Sequence, residues 1–506
     1  MANTTTSVVT FSILSPDASL SYDRIKLRLE EYRTLLESDS DTIELSTENG
    51  KTVICRKRAK EMEEFLDQAE ILLRDVVQSR DLSTIVVLHH LRDLSKVLDS
   101  LKLYDECRLT GNCALDLAEA LGRRSLEFRQ EQAETLALLA GLSVYQPRAR
   151  TLFIQAVSIC EEVVANNASH SNRITFLNVL DRAGYWGPDD LSAQWLGHAI
   201  QLMTKELPPT MVNPHFRSVI YNNYGFVLDE LQQHASAVEA YNEAISIRCT
   251  LVNDDPARHN LCFAETRMNM GIALSKLGKY DDAIAAYKEV LEVCTAMSAH
   301  DPLRYNELMA ESSYNYGVAL KKSNQFSEAA AAQKQAVLLC RNLAQTGHEC
   351  TELLSDALHA YGSSCHSLGE YPESVLAYQE SILLRRSLAA KDSKEGRLIL
   401  SLHHIAESFL VLGKDAEANA AANEAVEMNR GRVLENCQYA PDFEWCFVCE
   451  RAMIPDSLPN VSKPILPDHS FLRPAEHPGP SITPAETPNP TGETVNVSVH
   501  KDGPRF

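Results

Sequence analysis

The 506-residue chain lacks a run of apolar residues long enough to cross a bilayer, and its first residues, MANTTTSVVTFSILSPD, lack the basic start and strong apolar centre of a secretory signal. It is poor in aromatics, 7% of residues with three tryptophans, and modest in glycine (20) and proline (21). It is also short of positive charge, with 48 Lys and Arg against 69 Asp and Glu and a net charge of −21. That balance argues against general binding to nucleic acid or an anionic membrane. There is no GxxxxGK[ST] phosphate loop, no GxSxG nucleophile turn and no HExxH zinc pair. His89-His90 and His403-His404 are adjacent pairs, expected as core or surface residues rather than ligands. Nothing positive supports an enzyme, a cofactor or a metal. Thirteen cysteines are scattered, mostly singly, as at Cys160, Cys249, Cys262, Cys294 and Cys340. That pattern suits buried small side chains in a reducing compartment. Cys446 and Cys449 have CxxC spacing, but no second ligand pair follows to complete a zinc site.

What is present is repetition. Asn178, Asn223, Asn269 and Asn315 recur at spacings of 45, 46 and 46, each two residues before an anchor: Leu180, Gly225, Gly271 or Gly317. The clearest unit is YNNYGFVLDELQQHASAVEAYNEAISIR, from Tyr221 to Arg248. Each unit reads as a helix with a small anchor, a short turn often spelled Leu-Gly-Lys/Glu, and a second helix. The second helix opens on a small residue (Ala237, Ala283, Ala329, Ser374) and has a larger one four positions on (Tyr241, Tyr287, Gln333, Tyr378). Two antiparallel helices can approach closely only where side chains are small, and the larger residue fills the space beside that contact. The register extends outward through Ser95, Ala137, Leu180, Gly225, Gly271, Gly317, Gly362 and Ala406, which predicts eight repeats with periods of 42 to 46.

The pattern resembles the tetratricopeptide repeat over roughly residues 85–430, and the long period with an Asn-bearing first helix resembles the kinesin light chain type. The Trp and closing Pro of that pattern are largely missing. The resemblance implies an all-α fold, a right-handed α-solenoid of about eight helix-turn-helix repeats with a disordered Pro-rich C-terminal tail. The extra ten or so residues per repeat are expected in the second helix and the linker after it.

The predicted organisation has five parts. Residues 1–55 form a partly disordered segment with one amphipathic helix (22–36) and an acidic loop, ESDSDTIELSTENG; residues 56–84 form a capping helix. The solenoid spans 85–430, a cap 431–455, and the tail 456–506, where from Pro455 onward eleven of the 21 prolines fall.

An Asn amide offers a donor and an acceptor, matching a peptide N–H and C=O. Asn178, Asn223, Asn269 and Asn315 are therefore candidates to hold the backbone of an extended partner segment, with Tyr221 and Tyr314 adding selectivity. Duplicated repeats can equally share an Asn that only bonds neighbouring helices. Lys276, Lys321 and Lys322 lie near the far end of the same helices and suit an acidic or C-terminal carboxylate ligand, or simply complement the helix dipole. The Lys expected early in the first helix of a chaperone-tail clamp is replaced by Asn222, Met268 and Tyr314, which disfavours that ligand. The expected function is a non-catalytic adaptor binding a protein or peptide, with no nucleic acid or membrane partner. A structural subunit, such as a homo-oligomer built on the outer faces, is the alternative. The expected compartment is the cytoplasm, with the nucleus also open.

Overall fold

The structure, a computed structural model, describes residues 25–27, 29–30, 33, 42–47, 50–55, 64–72, 84–101, 103–123, 126–142, 148–185, 190–392 and 395–436. The chain divides into units 1–452 and 453–506, and the second lies wholly outside the described residues. So do the first 20 residues, the Pro-rich tail, and the cap beyond residue 436 with its Cys446–Cys449 pair.

From residue 84 onward the described chain is a succession of helices in eight antiparallel pairs. These are α1 (Thr84–Ser100) with α2 (Tyr104–Gly122), α3 (Leu126–Ala140) with α4 (Ala149–Asn166), α5 (His170–Tyr185) with α6 (Asp190–Gln201), and α7 (Pro214–Glu230) with α8 (His234–Asp254). Then come α9 (Pro256–Lys276) with α10 (Tyr280–Met297), α11 (Pro302–Lys322) with α12 (Phe326–Gln345), α13 (Thr351–Leu368) with α14 (Tyr371–Asp392), and α15 (Glu395–Val411) with α16 (Asp415–Asn436). Each helix packs on the next in sequence, which is the architecture of a solenoid. All eight anchors fall on first helices, and all eight small openers, from Cys107 to Ala418, fall on second helices. Every one of them is buried.

The contact between anchor and larger residue is tight. A Cβ built on Gly225 would lie 2.7 Å from the Tyr241 ring, one on Gly271 2.8 Å from Tyr287, and one on Gly362 3.1 Å from Tyr378. These three tyrosines are the largest fully buried side chains. In the sixth pair Gln333 replaces Tyr, and a Cβ on Gly317 would meet it at 2.5 Å. With its amide nitrogen turned inward, Gln333 donates to Ala329 O, Ser364 Oγ and Ala360 O at 3.2, 2.7 and 3.1 Å. The third pair departs from expectation: its glycine contact is at Gly184, whose Cβ would meet Leu196 at 2.3 Å, one turn beyond Leu180.

Helix ends follow local chemistry. Asn213, Asp255 and Asp301 accept from the backbone N–H groups of His215, Arg258 and Arg304, and each is followed by a proline in the first helical turn. Gly278, Gly369 and Gly413 turn the chain with φ of 74°, 80° and 70°. Gln232 and Asn324 do the same at 62° without the freedom of glycine. The added length of the repeat is not confined to the second helix and linker. α9 and α11 have 21 residues each, no fewer than their partners α10 and α12 with 18 and 20, and only Asp255 separates α8 from α9. The Asx-Pro starts explain this, since they begin each first helix early.

One expected loop is instead a strand pair. β1 (Thr42–Thr47) and β2 (Gly50–Cys55) run antiparallel, with Thr42 opposite Cys55 and Thr47 opposite Gly50. The alternation in TIELST and the Asn-Gly after it are hairpin signals that its acidic composition hid. Before the solenoid, Ile25, Leu29, Leu66 and Ala69 are buried in one cluster with Leu88, Leu91 and Leu94 of α1. Among the described cysteines, Cys107, Cys160, Cys294, Cys340 and Cys365 are buried as expected, but Cys249 is exposed and Cys262 half-buried.

Gly271→Ala is expected to destabilise the array by about 1–3 kcal/mol through overpacking on Tyr287. Gln232→Gly is expected to stabilise it, by up to about 1 kcal/mol, by relieving the left-handed backbone. Urea denaturation midpoints of the two variants should therefore move in opposite directions from the wild type.

Candidate functional site

First helices of neighbouring pairs touch one another throughout, α1 on α3, α3 on α5 and so on to α13 on α15, and second helices do not approach one another comparably. The first helices therefore line the inner face, where the Asn series was expected to act.

The structure separates the four amides. Asn223 is buried, and its Nδ2 donates to Asp181 Oδ1 of the preceding pair at 3.2 Å. Burial raises the Asp181 carboxyl to about 6, against the lowering effect of that hydrogen bond and of Arg182. Asn223 is thus bonded within the array. Asn178 is exposed, whereas Asn269 and Asn315 are half-buried. The position matching Asp181 is Phe226 before Asn269 and Ile272 before Asn315, and neither can accept a hydrogen bond through its side chain.

Asn315 and Tyr314 open onto a groove segment of about 650 Å³ between α11, α13 and α15, where Glu307, Glu311, Glu352 and Asp356 also stand. Arg397 answers two of these carboxylates, at 2.8 Å from Glu352 and 2.7 Å from Asp356. Glu307 meets His348 at 3.1 Å, and Glu265 meets Arg304 at 3.9 Å. Burial raises the Glu311 carboxyl, and the nearby Glu307 and Glu265 raise it further. Burial also raises Glu265, with Arg304 and Arg248 opposing. The Tyr314 hydroxyl is pushed up by burial and by Asp356, with Arg385 and Arg397 opposing. Tyr221 packs half-buried against the core of the second to fourth pairs, away from this segment.

The lysines are mostly committed elsewhere. Lys276 Nζ lies 2.7 Å from Asp229 Oδ2, and Asp229, itself buried, also holds His234 at 2.6 Å. Lys321 donates to Ser363 Oγ, and burial together with Lys322 lowers its amine. Lys322 is exposed at the end of α11. Lys276 and Lys321 are thus engaged by side chains of the array itself.

Two features escaped the sequence reading. Arg248 and Arg385, both buried, occupy the same repeat position on α8 and α14, where Cys294 and Cys340 stand on α10 and α12. Arg248 donates to Ser218 Oγ at 3.1 Å and to Cys262 O and Thr266 Oγ1, tying three helices. Arg385 does the same through Asp356 Oδ1 at 2.8 Å, Ser401 Oγ at 2.6 Å and Arg397 O. An Arg in a repeat column that is otherwise apolar from the first to the seventh pair was the available signal. The second is Glu407, whose two carboxylate oxygens face His403 and His404.

Family profiles for the tetratricopeptide repeat match residues 219–248 and 264–294, the fourth and fifth pairs. The chain therefore carries tetratricopeptide repeats. No curated protein matches the sequence. Similar solved structures include MamA 41-end from Desulfovibrio magneticus RS-1, at 19% identity over 43% of this chain and 97% of that one, TM-score 0.31. Another is a Podosopora anserina putative kinesin light chain with nearly identical TPR-like repeats, at 17% identity over 45% and 99%, TM-score 0.34. The apo form of RapI aligns at 9% identity over 69% and 99%, TM-score 0.44. No helix among the described residues is long and apolar enough to cross a membrane.

Asn223→Ala strands the buried Asp181 carboxylate and is expected to cost about 1–3 kcal/mol, whereas Asn269→Ala and Asn315→Ala should leave the melting temperature near that of the wild type. Glu311 titrates higher when folded, so the folded state binds more protons between its unfolded and folded pKa, and stability falls as pH rises through that interval. Glu311→Gln should accordingly raise the melting temperature at pH 7, and the gain should shrink toward pH 4.

Proposed function

We propose that this tetratricopeptide-repeat protein is a non-catalytic interaction scaffold whose inner face, at the fifth to seventh pairs, holds an extended segment of a protein partner. Repeat arrays of this kind generally serve protein interaction rather than catalysis. The observation that carries the reading is the pairing of Asn269 and Asn315, half-buried and without an acidic partner in the preceding repeat, with the unneutralised carboxylate of Glu311. An amide in each of two successive repeats can bond a peptide backbone without regard to its sequence. Glu311 selects a basic side chain on that segment, because burial and the neighbouring Glu307 and Glu265 disfavour its charge and a cation there offsets that penalty. Tyr314 supplies an aromatic wall.

A second reading uses the outer side. Leu338, Leu376 and Leu383, on second helices α12 and α14, are 52%, 62% and 68% exposed, apolar side chains suited to assembly with another copy. Sedimentation of the wild type against Leu383→Lys separates this reading, since only an assembling protein would change size.

The groove reading is tested by fluorescence anisotropy with labelled extended peptides of basic, neutral and acidic composition. Basic peptides should bind, and Asn269→Ala with Asn315→Ala should weaken them roughly 10- to 30-fold, as expected for two hydrogen bonds of about 1 kcal/mol each. Glu311→Gln should weaken basic peptides alone. The reading is overturned if no peptide binds, or if the double variant binds as tightly as the wild type.

A further inference from the structure

On α15 three donor side chains share one helical turn. His403 and Glu407 are four residues apart and His404 and Glu407 three, so all face the same stretch of surface. Glu407 divides its carboxylate between the two rings: Oε1 lies 3.8 Å from His403 Nε2, and Oε2 lies 3.1 Å from His404 Nδ1. The donor atoms of the three residues lie within 4.8 Å of one another. A cation about 2.0–2.2 Å from each donor holds them no more than about 4 Å apart; each imidazole is already that close to one of the two carboxylate oxygens, and small rotamer changes bring both rings to a shared oxygen.

We infer that His403, His404 and Glu407 form a binding site for a divalent transition-metal ion of the zinc class. Two imidazole nitrogens and one carboxylate oxygen are a borderline donor set, which favours Zn²⁺ over Mg²⁺ or Ca²⁺, whose preference is for oxygen. Binding replaces the hydrogen bond between His404 and Glu407: the imidazoles coordinate as neutral rings, and any proton they carry is released to solvent. The surroundings hold the donors in place. The His403 side chain is only 5% exposed. The His404 ring stacks on Tyr378, with centroids 6.0 Å apart and planes at 15°, and stands 5.4 Å from His359. His359 is fixed in turn by a 2.9 Å contact of its Nδ1 with Ser401 Oγ. His404 and Glu407 are half-exposed, so an ion reaches them from solvent. Three ligands from one helix leave a fourth place open, for water or for a donor brought by another molecule.

The test is calorimetric titration of the full chain, freed of metal by a chelator, with Zn²⁺. It is paired with Co²⁺ absorption to reveal any thiolate ligand, because Cys437, Cys446 and Cys449 could bind zinc independently. The expected result is a zinc equivalent that survives Ser substitution of those three cysteines, gives a cobalt spectrum without thiolate charge transfer, and is not displaced by Mg²⁺. Glu407→Gln and, separately, His404→Gln should each weaken it tenfold or more, with helical circular dichroism and the metal-free melting temperature retained. Should one variant fail to fold, the other carries the test alone. Zinc uptake that disappears with the three cysteines, or that is unchanged in a folded Glu407→Gln or His404→Gln protein, overturns the assignment.

Discussion

Everything in this array depends on how close the two helices of a pair can come. Gly225, Gly271 and Gly362 have no side chain where Tyr241, Tyr287 and Tyr378 pack, and a single added methyl would clash with the first two rings and crowd the third. The ring buried by that approach also faces the next pair. Tyr241 and Tyr287 join one continuous core running from the fourth pair to the sixth, together with Phe263, Met268 and Met309. A repeat of this kind cannot bury its apolar face alone, so the close contact inside each pair sets the surface on which its neighbour stacks. Where the tyrosine is replaced by Gln333, the space is filled by an amide whose polar atoms must be satisfied. Ala360 and Ser364 of the following helix supply those partners, turning a packing contact into a polar bond between repeats.

Polar bonds of that sort divide the array functionally. Arg248 and Arg385 reach from a second helix into the following first helix, where a buried guanidinium needs carbonyl, hydroxyl or carboxylate partners to offset its desolvation. Asn223 with Asp181, and Lys276 with Asp229, join successive first helices across the inner face. These groups consume their own hydrogen-bonding capacity. Between the two arginine clamps, Asn269, Asn315 and Glu311 do not have theirs consumed in the same way, and Glu311 is held among like charges. A surface that keeps such a repulsion in the free protein gains when a cation arrives, which is the physical basis of the proposed preference for a basic segment.

The eight-repeat register was legible because it is local. A small anchor, a turn and a small-then-large pair all fall within about 20 residues of one another, and recurrence reinforced the weak copies around Ser95 and Ala137. The misreadings came from local signals that were present but outweighed. The Asx-Pro pairs at 213–214, 255–256 and 301–302 begin the first helices early, and the TIELST alternation marks a strand within an acidic stretch read as loop.

The candidate site was legible only as a column of residue types. The sequence alone placed Asn178, Asn223, Asn269 and Asn315 on equivalent turns, because helical periodicity fixes which face a residue shares. It could not say that Asn223 is taken by Asp181, since that partner belongs to the preceding repeat, more than 40 residues away. The same distance hid the pairing of Lys276 with Asp229 and the approach of Glu265 to Glu311. By itself the sequence determined the fold, its repeat number and the faces of its helices, through contacts made within a repeat. Tertiary structure decided which of those equivalent side chains are spent on the array and which are not, because that depends on what the neighbouring repeat brings opposite each one.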